Sequence, residues 1–172
     1  MPQPILAEEI SAIKLEALQV GHRAAIGSVA IHWAHLESAL ALCFSKLAGA
    51  SIEAAFIALQ NMSAKNKVDT VGALGIVTLP PHLQEEFADL VTQANNFSVK
   101  RNGLVHNQWL GIDKKGRAVC LIISGRLNGP NVKYTAWTTA ELEQVADDLK
   151  ILFEKIKHFL VDNKMWSGDS FE

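Results

Sequence analysis

The chain has 172 residues, 49% of them hydrophobic, with two cysteines and a formal net charge of -2. That is enough apolar material for one substantial core but leaves little room for a second independent domain, so a single domain is expected over 1–163. No apolar run approaches the roughly 20 residues of a membrane span, Met1-Pro2-Gln3-Pro4 lacks the basic and apolar regions of a signal peptide, and Cys43 and Cys120 lack zinc-site or disulfide-framework spacing. The expected setting is cytoplasmic, with no membrane contact.

In chain order, Leu6, Ile10, Ile13, Ala17 and Val20 alternate by four and three, which predicts a first amphipathic helix that breaks near residues 19–23. Ile26, Val29, Trp33, Leu36, Leu40, Cys43 and Leu47 continue the same alternation through seven positions and predict a long core helix stopped at Gly49. Ser51 is placed to cap a short helix with Ile52, Ala55, Phe56 and Leu59 inward. A further helix over 64–78 would use Val68, Val71, Leu74, Ile76 and Val77. Pro80 and Pro81 then open the longest amphipathic helix, with Leu83, Phe87, Leu90, Val91, Ala94, Phe97, Leu104 and Val105 on its apolar side, ending near His106.

From Trp109 the period shortens. Residues 109–113, 117–123 and 132–137, separated by Lys114-Lys115-Gly116 and Gly129-Pro130, read as a small hairpin insert of two or three strands over about 109–137. Thr138, followed three residues later by Glu141, forms a capping box for the last helix, whose stripe is Leu142, Val145, Leu149, Leu152, Ile156 and Phe159. Residues 164–172 read as a loose tail. The fold class is therefore mainly α, an up-down helical bundle with a small β-hairpin insert before the last helix.

The residues that carry chemistry are concentrated where that bundle meets the insert. The segment Lys100–Lys133 holds seven basic residues against Asp113 alone, a net +6 that leaves -8 for the remainder. Within it, Asn102 and His106 are one helical turn apart, whereas Arg101 lies about 140° round from His106 and must use the length of its side chain to reach the same point. Together they offer a guanidinium for a phosphate, an amide that orients, and an imidazole that moves a proton. Those are the parts of a metal-independent ribonuclease. The plain alternative is an arginine that satisfies the carbonyls at the end of its helix.

Val99-Lys100-Arg101-Asn102-Gly103-Leu104-Val105-His106-Asn107-Gln108-Trp109, preceded by the helix carrying Trp33, His35, Leu36 and Glu37, resembles the HEPN superfamily. Its signature is an arginine, a polar residue directly after it, and a histidine after four to six intervening residues, near a helix end. The resemblance covers about residues 20–160 in helix order. It implies a homodimeric helical bundle whose two signatures face each other as an RNA-cleaving cleft. It also implies a role as a toxin or phage-defence effector, with a neutralising antitoxin protein as a partner. Arg101, Asn102 and His106 would be catalytic, with no cofactor or metal, and Lys100, Lys114, Lys115 and Arg117 would bind substrate. Trp33 and Glu37 would give structural support, Glu37 as an edge carboxylate that is either solvated or paired with a cation such as Arg101. Trp109, Tyr134 and Trp137 beside those basic residues suggest a stacking surface for single-stranded RNA, or alternate strand residues turned inward.

Two other readings remain. One is a non-catalytic nucleotide-binding, RNA-binding or protein-interaction module that keeps the motif as a structural clasp. The other is a metal site built on His22, His32 and His35, which the absence of any Glu-x-x-His unit disfavours.

Overall fold

The computed structural model describes residues 3–4, 18–126 and 129–165. Nine elements follow in chain order: β1 (Gln3–Pro4), α1 (Val20–Ala48), α2 (Ile52–Leu59), α3 (Ala64–Thr78), α4 (Pro81–Val105), β2 (Gln108–Ile112), β3 (Ala118–Arg126), β4 (Gly129–Trp137) and α5 (Thr139–Asp162). The protein is mainly α-helical with a small antiparallel sheet before the last helix, as the periodicity predicts. The helix expected over Leu6–Val20, apart from its last residues, and the expected tail from residue 166 onward lie outside the described residues.

The helix boundaries follow from local chemistry. Ser51 and Ser63 cap α2 and α3 by accepting the backbone N–H of Ala54 and Asn66, each at 3.2 Å. Gly49 (φ 62°) ends α1 in the left-handed region, which lets the Ala50 N–H reach back 2.9 Å to the Ser45 carbonyl. Thr138 and Glu141 form the expected reciprocal box at the start of α5: Glu141 N–H donates to Thr138 Oγ1, and Thr138 N–H donates to Glu141 Oε2 at 2.9 Å. The bond from the Thr138 N–H, ahead of the opposing effect of desolvation, holds the Glu141 carboxyl below its ordinary value.

Strand order is β1-β4-β3-β2, antiparallel throughout. The insert is thus a three-stranded meander with β1 added at the β4 edge, where Gln3 pairs with Ala136 and Pro4 with Thr135. β3 and β4 extend further than the period-2 pattern suggests, to Arg126 and from Gly129. A bulge between Trp109 and Gly111 shifts the β2–β3 register, and Gly111 supplies the φ of 145° that the extra residue requires.

The chain divides into two compact units. One comprises Met1–Ile31 and Lys100–Asp147, the other His32–Val99 and Asp148–Glu172. In the first, His22, Ala25 and Val29 of α1, Leu104, Ala118, Val119, Cys120 and Ala136, and Leu142, Val145 and Ala146 are buried. The second is a helical bundle whose interior is Trp33, Leu36, Leu40, Val68, Val71, Phe87, Leu90, Ala94, Leu149, Leu152, Ile156 and Phe159.

Four side chains expected inward are not, the first being Val20 at the start of α1, which is 73% exposed. Phe56 of α2 is 48% exposed, because only Ala55 and Leu59, four apart, face inward in that two-turn helix. Ile76 and Val77 of α3 are 67% and 76% exposed, because the buried row of α3 runs Val68, Val71, Gly75 instead. Gly75 and Gly72 are packing devices. A Cβ on Gly75 would run into ring carbons of Phe87, and one on Gly72 would lie 2.8 Å from Val91 Cγ1, so α3 and α4 approach on glycine. Phe87 is in turn stacked on Phe159, centroids 5.3 Å apart, which limits its freedom to move aside.

Gly75→Ala should therefore destabilise the protein by about 1–2 kcal/mol. Overpacking typically costs about 1–3 kcal/mol, against up to about 1 kcal/mol gained in helix propensity. The check is a lower urea midpoint with an unchanged slope; an unaltered midpoint would mean that Phe87 yields without cost.

Candidate functional site

The last turn of α4 carries Arg101 and Asn102, and His106 follows directly after the helix ends at Val105. The chain leaves the helix here because the backbone changes from helical to extended within three residues, with β2 starting at Gln108. The His106 N–H still bonds the Asn102 carbonyl at 3.2 Å, so His106 keeps its place one turn above Asn102.

The side chains converge as the helical wheel allows. Arg101 Nη1 donates to Asn102 Oδ1 at 3.1 Å and lies 2.6 Å from His106 Nε2. A guanidinium has donors and no acceptor, so His106 Nε2 must be the acceptor. The contact therefore calls for the tautomer with its proton on Nδ1. Asn102 and His106 are exposed and Arg101 is half-buried, so the triad lies at the surface of the helix end.

Around it, the terminal carbonyls of α4 are satisfied from the chain that follows. Gly103 O accepts from Asn107 Nδ2 at 2.9 Å and from Cys120 Sγ at 3.6 Å, and Leu104 O accepts from Trp109 Nε1 at 2.9 Å. Asn107 and Cys120 do not stand out in sequence as functional residues, and Trp109 does so only as an aromatic that could stack on RNA or turn inward. Their signal is indirect: Asn107 and Trp109 follow the helix end closely enough to turn back on it. Burial pushes the Cys120 thiol up to about 11, so it remains a thiol donor and not a thiolate.

The basic residues expected to bind substrate divide into two classes. Lys100 is exposed beside Arg101, and Lys114 and Lys115 are exposed at the β2–β3 turn. Five residues of β2 at about 3.3 Å each place that turn roughly 16 Å from the helix end, so these lysines suit a different phosphate from the one Arg101 would meet. Arg117 is committed elsewhere. Its Nε and Nη2 each lie 2.7 Å from Asp113 Oδ2, with the two side chains only 12% and 9% exposed. Asp113 Oδ1 accepts from the backbone N–H of Lys115 and Arg117 at 2.9 and 2.8 Å. Burial alone would raise the Asp113 carboxyl, but the backbone N–H of Arg117, its guanidinium and the Lys115 N–H outweigh that and hold it below its ordinary value. Asp113 thus organises the turn, and Arg117 is its counterion.

The supporting residues lie in the helical unit. Trp33 is buried in its core. Glu37 meets Lys67 Nζ of α3 at 2.8 Å, so the cation beside this carboxylate is a lysine of the same helical unit. Trp109, Tyr134 and Trp137 are partly buried, and Trp137 Nε1 donates to Thr135 Oγ1 at 3.2 Å. Of the histidines considered for metal, the His32 and His35 rings meet edge-on at 5.8 Å, and His35 also packs 5.7 Å from Phe153. No group of three or more His, Cys, Asp or Glu side chains placed for a metal occurs among the described residues. Nor is any single described helix long and apolar enough to cross a membrane.

Comparison of the chain with protein-family models, with characterised proteins and with solved structures returned no match.

His22 is 1% exposed, and among the described residues neither ring nitrogen has a hydrogen-bond partner. Desolvation lowers its pKa from the ordinary 6.5. The unfolded chain therefore binds a proton that the folded one refuses. Stability should be unaffected by this group above about pH 6.5, and should fall by at most about 1.4 kcal/mol per pH unit as pH drops from there towards the folded-state value. Urea titrations of wild type and His22→Leu between neutral and mildly acidic pH test this. The variant should lose that part of the slope, and equal slopes would mean that His22 is not the group responsible.

Proposed function

We propose that this protein is a metal-independent endoribonuclease of HEPN type, acting as a homodimer in toxin or phage-defence biology. The observation that supports it most is the convergence of Arg101 on Asn102 Oδ1 and His106 Nε2 at an exposed helix end. In the proposed reaction, a phosphodiester of RNA draws the guanidinium to its anionic oxygens, since an anion is a better acceptor than a neutral imidazole. That frees the Nε2 lone pair. His106 then takes the proton of the adjacent 2′-hydroxyl as its oxygen attacks phosphorus. The bond to the 5′-oxygen breaks, and a protonated His106 from the second copy in the dimer supplies the leaving oxygen with its proton, so the two imidazoles exchange protonation states over the reaction. Arg101 offsets charge on the phosphoryl oxygens, and Asn102 fixes the guanidinium in plane. The products are a 2′,3′-cyclic phosphate and a 5′-hydroxyl, with no metal in the balance. Lys100, and further along Lys114 and Lys115, would hold the backbone by charge.

A non-catalytic clasp would cover His106, and His106 is exposed, which does not favour that reading.

In EDTA, the purified protein should cleave single-stranded RNA to fragments ending in cyclic phosphate. His106→Ala and Arg101→Ala should each lose about 10²–10⁴-fold in kcat with the fold intact. No cleavage by wild type, or cleavage undiminished in His106→Ala, would refute the assignment.

A further inference from the structure

The sheet insert begins at the helix end that carries the triad, and two of its residues reach back onto that end. Trp109 of β2 and Cys120 of β3 are direct cross-strand partners. Their side chains donate to consecutive carbonyls of α4: the Cys120 thiol to Gly103 O at 3.6 Å and the Trp109 indole to Leu104 O at 2.9 Å. Asn107 Nδ2 shares Gly103 O at 2.9 Å. Between the helix end and these ties lies His106, its backbone N–H bonded one turn back to Asn102 O and its Nε2 against Arg101. The bulge at Trp109–Gly111 departs from the regular ladder at this point, as bulges that re-aim a side chain do.

We infer that Trp109 is a positioning residue: with Asn107, and through the weaker Cys120 thiol, it holds the α4 terminus so that the His106 imidazole presents Nε2 to Arg101. It rests on the ribonuclease reading for its effect on turnover, but its effect on His106 is independent of that reading. The indole N–H is a strong neutral donor on a rigid two-ring frame, and the frame is fixed in turn by the β2–β3 ladder. Leu104 is the residue two before His106. A carbonyl released there frees the last turn to fray, and the direction of the His106 side chain depends on that turn. Arg101 approaches from about 140° round the helix, so a small rotation of the imidazole breaks the 2.6 Å contact.

The contact imposes the Nδ1–H tautomer on His106, and that tautomer is measurable. In ¹⁵N long-range spectra of the selectively labelled protein, wild-type His106 should show Nε2 as the unprotonated nitrogen. Trp109→Phe removes the donor together with one ring. Replacing Trp109 with 3-benzothienylalanine removes the N–H alone and keeps the two-ring shape, so it decides the question if the phenylalanine variant folds poorly. Asn107→Ala tests the second tie without touching the aromatic ring. All three should admit the Nε2–H tautomer, with the benzothienyl variant matching wild type in melting temperature. Against RNA, the benzothienyl variant should show kcat lower by about 10–100-fold at unchanged KM, the penalty of a misplaced reacting group and not of lost binding. Wild-type spectra with Nε2 protonated, or folded variants that keep the wild-type tautomer, would overturn the inference. If the tautomer moves as expected while wild type cleaves no RNA, the positioning role stands and the ribonuclease reading falls.

Discussion

The end of α4 cannot be left bare. A helix leaves its last carbonyls without partners, and here Gly103 and Leu104 present theirs to a sheet that starts a few residues later. Their acceptors draw in Asn107, Trp109 and Cys120, and the His106 N–H closes on Asn102. The same bonds that stop the helix therefore fix where its last polar side chains point. Had α4 ended in a glycine cap followed by a mobile loop, the motif could persist in sequence without any defined relation between Arg101 and His106. Because it ends in a hydrogen-bonded turn onto a strand, the relation is a property of the backbone.

The second consequence is electrostatic. The Arg101 guanidinium has only donors, so its approach to His106 Nε2 is compatible with one tautomer of the imidazole. Protonation of Nε2 and the Arg101 contact exclude each other. On the proposed reading this makes the pair self-consistent before substrate arrives: a neutral base with its lone pair held, released when a phosphate competes for the guanidinium. Asn102 contributes by giving Nη1 a second acceptor, so that the guanidinium has a defined plane in which to wait.

The helices were legible in sequence because two kinds of signal coincided. Ser51 and Thr138 mark starts by their own hydrogen bonds, and the three-four alternation in α1 and α5 marks which side is buried. Where those signals separate, so does the agreement. Ile76 and Val77 are apolar, but the row that α3 buries passes through Gly75, and a glycine is invisible to a count of hydrophobic residues although it lets Phe87 approach. The ends of β3 and β4 were missed because Gly125, Gly129 and Pro130 look like turn residues when pairing across the ladder is unseen. Arg101, Asn102 and His106 are legible as neighbours because spacing within one helix end is a local property. Ion-pair partners are less legible: Lys67 is thirty residues from Glu37, and Arg117 reads as a substrate-binding cation in sequence because nothing there marks Asp113 as the centre of a turn. Position along a helix can be read from sequence. Which cation a carboxylate meets depends on tertiary distance.

The chemistry of the proposed reaction also bears on how many chains it needs. Attack by a 2′-hydroxyl calls for a base on one oxygen and an acid on another, on opposite sides of the phosphorus when the displacement is in line. One imidazole holds one proton state at a time, so a lone His106 must pass its proton across the reacting group within a single event. Two copies remove that demand: one His106 neutral and held by its own Arg101, the other protonated and repelled from its own, each suited to one of the two oxygens. The contact at 2.6 Å defines the first of these states and excludes the second within the same chain. A pair of identical sites occupying unlike states is thus the arrangement in which the Arg101–His106 contact would aid both halves of the proposed reaction, and a symmetric pair of chains would supply it without any residue beyond those already at the helix end.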